Sequence, residues 1–140
     1  MTFLIDTNVI SEIRKAQPDP GVVSWFDAVS ESSVYVSVLL LGEIRSGIER
    51  LRRRDAVSAD VYDVWLTTLC EHYRNRIVDI DQAVAERWGT LSITDPVPVV
   101  DGLMAATALV HGMTLVTRNI ADFARTGVDL VNPFDTERRL

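Results

Sequence analysis

Four acids in this chain of 140 residues stand where carboxylates could act together. Asp6 directly follows the apolar run Phe3-Leu4-Ile5, and Asp122 closes the polar cluster Thr117-Arg118-Asn119-Ile120-Ala121-Asp122 that follows Thr114-Leu115-Val116. In open parallel sheets the functional crevice lies beyond the carboxyl ends of the strands, so polar residues just after strands are the ones a fold can gather. Glu43 lies in a helix opening after Ser37, roughly 100° around from the Leu40, Ile44, Ile48, Leu51 stripe, at the border between core and solvent. Arg50 and Arg54 follow it at helical spacing and put guanidinium groups beside the acids, where an anionic polymer could be held. Asp101 opens a helix whose face continues through Ala105 and Ala108, small enough to let it approach the sheet closely.

Each acid also has an ordinary explanation. Asp6 and Asp101 could be helix caps, Asn119 could cap a helix with Asp122 completing the arrangement, and Glu43 could be a surface acid. Jointly they say more, because carboxylates within ~4 Å of one another repel and shift each other's proton affinity unless a cation neutralises them. An all-oxygen set points to a hard ion, Mg²⁺ or Mn²⁺, and His72 and His111 lie far from the acids in sequence, which disfavours zinc.

The elements that must position these residues alternate. Short runs rich in β-branched residues, at 2–5, 33–36, 76–78 and 113–116, with a brief last one at 129–131, are predicted strands separated by helical stretches. That pattern predicts a central, mostly parallel sheet covered on both faces. Helical spacing is clearest in Leu40, Leu41, Ile44, Ile48, Leu51, in Val61, Val64, Trp65, Leu69, and in Ala83, Ala85, Arg87, Trp88, Leu91, the last with Asp81 as N-cap. Pro18-Asp19-Pro20-Gly21 and Asp95-Pro96-Val97-Pro98 read as connections. With no repeat and no linker, residues 1–140 are expected to form one domain.

Bulk composition narrows the function classes. The net charge of −6 gives no broad positive field, so any nucleic-acid contact has to be local. Lys15 is the lone lysine among 14 basic residues, and arginines at 45, 50, 52, 53 and 54 lie in one stretch, where planar forks suit phosphate or, more plainly, pair with acids on a solvated helix face. The single cysteine, Cys70, sits in an apolar pattern and reads as a small core residue. No apolar run approaches the ~18 residues that cross a bilayer, and the chain reads as cytoplasmic with no membrane partner.

Four segments together carry a resemblance: Leu4-Ile5-Asp6-Thr7-Asn8-Val9-Ile10-Ser11-Glu12, Leu41-Gly42-Glu43-Ile44, Asp101-x-x-x-Ala105-Ala106, and Thr117-Arg118-Asn119-x-x-Asp122-Phe123. The chain resembles the PIN-domain family, in particular the VapC-type toxins of bacterial toxin–antitoxin pairs. The resemblance implies a three-layer α/β/α sandwich and Mg²⁺ or Mn²⁺ held by acids matching Asp6, Glu43, Asp101 and Asp122. It also implies support from Thr7, Asn8, Thr117 and Asn119, an RNA substrate, a cognate antitoxin protein and a homodimer. The activity implied is metal-assisted hydrolysis of RNA phosphodiester bonds. Some relatives instead regulate trafficking through a DNA-bound complex, which leaves a non-catalytic subunit as the alternative. An aspartyl-phosphate enzyme fits less well: Asp6-Thr7-Asn8 lacks the Asp-x-Asp of haloacid dehalogenase phosphatases, and no lysine follows a late strand.

Overall fold

The computed structural model describes residues 1–91 and 97–134. Five strands, β1 (Phe3–Ile5), β2 (Val34–Ser37), β3 (Ile77–Val78), β4 (Thr114–Val116) and β5 (Leu130–Val131), form one sheet in the order β3-β2-β1-β4-β5. All four pairings are parallel. The chain therefore builds outward from β1 through β2 to β3, then returns to lay β4 against the other side of β1. The place where that order reverses, between the carboxyl ends of β1 and β4, is the crevice such sheets use for ligands.

Among the described residues, seven α-helices cover the two faces: α1 (Thr7–Ile13), α2 (Pro20–Ala28), α3 (Val38–Arg52) and α4 (Ala56–His72), then α5 (Gln82–Leu91), α6 (Val99–His111) and α7 (Ile120–Phe123). Alternate residues of each strand point to opposite faces, which explains the division of the core. Phe3, Ile5, Val34, Val36 and Val116 pack with buried residues of α1 to α4, whereas Leu4 and Leu115 pack with Met104, Ala105, Ala108 and Phe123 on the other side. The result is the three-layer α/β/α arrangement expected, with strand ends shifted by about one residue. Cys70 packs against the first of these clusters as a partly buried residue.

Three expectations need correcting. Pro20 does not belong to a connection but opens α2, with Asp19 as N-cap accepting from Gly21 N–H at 2.9 Å. Proline is favoured there because its missing N–H is one a helix start leaves unpaired anyway. Helix α4 turns Ala59, Leu66 and Leu69 to the core and leaves Val61 and Val64 exposed, so its apolar stripe is rotated from the one read in the sequence. In α5 the buried position is Val84, while Ala83 and Ala85 face solvent; Asp81 caps the helix as expected through Val84 N–H. Of the second proposed connection, Asp95 and Pro96 lie outside the described residues, and Val97 and Pro98 lead directly into α6.

Two local features set how the site-bearing helices lie. Gly102 in α6 faces the Trp88 ring of α5 so closely that a Cβ there would come within 2.9 Å of it, and the absent side chain lets these helices meet beside Asp101. On the opposite layer, Glu12 of α1 is a buried carboxylate that accepts from Lys15 Nζ at 2.8 Å and from Asp19 N–H at 3.0 Å, tying α1 to the start of α2. The Lys15 contact, with help from Asp19 N–H and against the cost of burial, holds Glu12 below the ordinary carboxylate range. A carboxylate depressed in the fold contributes stability above its unfolded value and loses it as pH falls through the folded one. Glu12→Gln is therefore expected to cost about 1–2 kcal/mol at neutral pH. In urea unfolding, the gap to wild type should narrow below the ordinary carboxylate range and close once Glu12 itself is protonated.

Candidate active site

The crevice between β1 and β4 is assembled by the residues that end those strands. Asp6 is the N-cap of α1: its backbone is extended, and its Oδ1 accepts from Thr7 N–H at 2.8 Å. The ordinary explanation for this acid is thus correct, and it leaves Oδ2 turned to β4, where it accepts from Thr117 Oγ1 at 2.7 Å and from Asn8 Nδ2 at 3.3 Å. Asp6 N–H donates to the Val116 carbonyl at 2.9 Å, fixing the two strand ends against each other. Asp6 is 9% exposed and Thr117 fully buried, so these bonds are sheltered from water and hold the carboxylate in one orientation.

Thr117 and Asn8 form the rest of this brace. Thr117 Oγ1 accepts from Asn119 N–H at 3.0 Å and from Asn8 Nδ2 at 3.4 Å, while Asn8 Oδ1 accepts from Arg118 N–H at 3.2 Å. Asn119 is the N-cap residue of α7 but makes no side-chain cap bond; its contribution here is its backbone N–H. Thr7, one residue past Asp6, reaches the other way and donates from Oγ1 to Glu43 Oε1 at 2.7 Å. That tie, absent from any sequence pattern because 36 positions separate the partners, brings α3 to the site.

Asp101 lies in the first turn of α6, which begins at Val99 with Pro98 as N-cap, so it does not cap the helix. Its neighbours Ala105 and Ala108 are fully buried, as the small-residue face required. Asp122, in the first turn of α7, lines a cavity of about 300 Å³ with Asp101, Ala121 and Arg125. Burial pushes the Asp101 carboxyl above the ordinary range, and the negative charges of Asp6, Asp122 and Glu43 push it further, in that order. Asp101 thus feels the charge of the other three acids picked out in the sequence. His72 instead pairs with Glu31, and His111 is exposed beside a separate cavity with Asp79 and Asp81.

The donor set fits a hard divalent cation: carboxylates supported by hydroxyl and amide groups, with neither imidazole nor thiolate among the residues that shape the site. Among the described residues, no three acidic, histidine or cysteine side chains form a ready-made ligand group. Glu43 is held by Thr7. Burial first, and then the charges of the other acids, raise the Asp101 carboxyl, and a cation there would favour its ionised form.

Beside Glu43 a groove of about 370 Å³ runs between α1, α3 and α4, lined by Thr7, Ser11, Gly47, Arg54, Tyr62 and Trp65 among others. Arg54 lines it, from the turn that follows α3 instead of from the helix itself. Arg50 does not line it and instead donates to Ser46 Oγ at 3.0 Å. Arg45 and Arg52 pair with Glu49, Asp60 and Asp63, the plain solvated-face role for two of the five arginines in the stretch. Reasoning from sequence alone missed Ser11, Arg125 and the aromatic wall, where Arg14 lies 4.0 Å from the Tyr62 ring centre and 5.1 Å from that of Trp65.

The PIN-domain family profile matches residues 3–129, most of the chain and all four acids. The chain is a PIN domain. Over 137 residues this PIN domain is 31% identical to the VapC ribonuclease Y4jK of Sinorhizobium fredii, covering 95% of this chain and 98% of that one. It is 29% identical to the toxin FitB of Neisseria gonorrhoeae, covering 94% and 98% of the two chains. The structure of FitAB bound to an IR36 DNA fragment superposes on this PIN domain with a TM-score of 0.85 at 30% identity, covering 94% of this chain and 95% of that one.

Proposed function

We propose that this PIN domain, acting as a single domain in the cytoplasm, is a metal-dependent endoribonuclease and the toxin of a toxin–antitoxin pair. The observation that carries this is the bracing of the β1/β4 crevice: Thr117 and Asn8 hold the Asp6 carboxylate, Thr7 beside it holds Glu43, and Asp101 and Asp122 line one cavity. Full-length similarity to a VapC ribonuclease and to the toxin FitB supports the substrate class and the toxin role.

In this reading Asp6 and Asp101 hold Mg²⁺ or Mn²⁺, with Glu43 and Asp122 completing the set or accepting hydrogen bonds from the attacking water. The cation supplies charge neutralisation at the phosphoryl group and a more acidic water. The chain's own part is orientation. Thr117 and Asn8 fix the Asp6 carboxylate, Thr7 fixes Glu43, and Glu43 and Asp122 align the water opposite the leaving oxygen and draw off its proton. Phosphorus gains the water oxygen, the bond to the leaving oxygen breaks, and that oxygen takes a proton from solvent.

Thr7→Val is expected to lower the cleavage rate about 10-fold by freeing Glu43, and Thr7→Ser to retain most of it, since the hydroxyl rather than the methyl makes the tie. Steady-state cleavage of one mapped RNA compares the two. The overall reading is tested by incubating the partner-free protein with a mixed pool of tRNA, rRNA fragments and mRNA, with Mg²⁺ or Mn²⁺ and with chelator. Discrete cuts that need the metal support it, and an intact pool under every metal counts against it.

The antitoxin and a homodimer belong to the same reading. Solution of the relative within an assembly, FitAB, supports a protein partner, and the groove beside Glu43 is apolar enough, through Ile44, Ile48 and Leu51, to take a helix or strap from it. The DNA in that assembly is what favours the second reading, a non-catalytic subunit of a DNA-bound complex. The full set of acids and polar braces weighs for the nuclease.

A further inference from the structure

A site of four carboxylates in a protein of net charge −6 repels the RNA it is meant to cut, so phosphate contacts have to lie close by and be few. The acids stand between two cavities. Glu43 lines the groove of about 370 Å³, and Asp101 with Asp122 lines the second, of about 300 Å³. Between them lies the Asp6 brace: Thr7 of the groove donates to Glu43 and directly follows Asp6, and Asp6 accepts from Thr117, whose hydroxyl takes the N–H of Asn119 at the start of the helix that carries Asp122. A strand laid across these residues would run from one cavity to the other.

Each cavity carries one arginine in its wall. In the groove it is Arg54; in the second cavity it is Arg125, on the 3₁₀ turn Ala124–Thr126, three residues past Asp122. Arg125 is exposed in the same cavity wall as two carboxylates, and a guanidinium there suits the planar recognition of a phosphate. Arg118, nearer in sequence to the braces, stacks over Phe134 instead, 4.6 Å from the ring centre.

We propose that Arg125 binds the backbone phosphate on one side of the scissile bond and Arg54 the phosphate on the other, so that the RNA runs from the Asp101–Asp122 cavity across the acids into the groove. This rests on the ribonuclease reading, and RNA binding separates the two. In an Asp6→Asn background, which binds without cutting, affinity for a labelled oligoribonucleotide spanning a cut site is measured against salt with Mg²⁺ present. Replacing Arg125 by Gln lowers affinity about 10-fold at low salt and reduces the salt slope by about 0.7, the share of one phosphate contact on a single strand. Arg125→Lys keeps the slope, and thermal unfolding verifies that both variants fold.

Oligonucleotides shortened from either end then locate the contact. Truncation on one side of the cut abolishes the Arg125→Gln penalty, and truncation on the other abolishes that of Arg54→Gln. An unchanged slope in folded Arg125→Gln overturns the proposal, as does loss of both penalties by the same truncation. Should wild type cut no RNA while the Arg125 slope still falls, the nuclease reading fails and the phosphate contact stands.

Discussion

Asp6→Asn is expected to abolish RNA cleavage, by about 10³-fold or more, while leaving the protein folded. The two halves of that expectation come from the two oxygens of the same side chain. Oδ1 caps α1 through Thr7 N–H, and asparagine caps helices as well as aspartate does. Oδ2 lies between Thr117 and Asn8 at the meeting point of β1 and β4, where in the proposed reading the negative charge rather than the shape would serve a metal. Losing a ligand charge at such a site removes on the order of 4 kcal/mol of transition-state stabilisation, which is about three decades in rate. Single-turnover cleavage, with circular dichroism to verify the fold, measures both. A variant that cuts within tenfold of wild type would move the metal away from Asp6.

The second large effect concerns stability and runs opposite to activity. Asp101 is pressed by its own burial and by Asp6, Asp122 and Glu43, so its ionised form is a load on the metal-free fold at neutral pH. Asp101→Asn removes that load and is expected to raise the unfolding temperature of chelator-treated protein by up to about 4 °C. In the proposed reading it also removes a metal ligand. Wild-type protein at Mg²⁺ or Mn²⁺ about 100 times its dissociation constant should gain about 2.7 kcal/mol, or ~5–10 °C for a chain of this size. Asp101→Asn should gain little and cut no RNA. Calorimetry across a metal titration reads all of this, and a variant less stable than wild type in chelator would mean that Asp101 is held by favourable contacts instead of strained by repulsion.

These expectations depend on features of unequal legibility in the sequence. The acids were visible because each follows a β-branched run or sits at a helix border, and the switch from strand to helix at Asp6 follows from one residue that comes directly after β1 and caps α1. The braces were visible only as polar types near the acids. That Thr117 donates to Asp6 could not be read, since 111 residues separate them and the contact exists only because β4 returns to the side of β1 that β2 leaves open.

The misreadings have physical causes too. In α4 the valines at 57, 61 and 64 make a helical stripe as regular as the buried one, and the phase that wins is set by packing of Ala59, Leu66 and Leu69 against α3 and the sheet. Pro20 was taken for a breaker, although a capping Asp before a proline is a helix start. Arg125 drew no notice because it lies in no motif and gains meaning only from the cavity it shares with Asp101 and Asp122.

The central claim is that a metal held by the β1/β4 carboxylates lets this chain cut RNA. Its most direct test is single-turnover cleavage of one oligoribonucleotide containing a mapped cut, by wild type and Asp6→Asn, each with Mg²⁺ or Mn²⁺ and with chelator. A cut made only by wild type with metal is the expected result; equal cutting by Asp6→Asn, or cutting that survives the chelator, would overturn the nuclease reading.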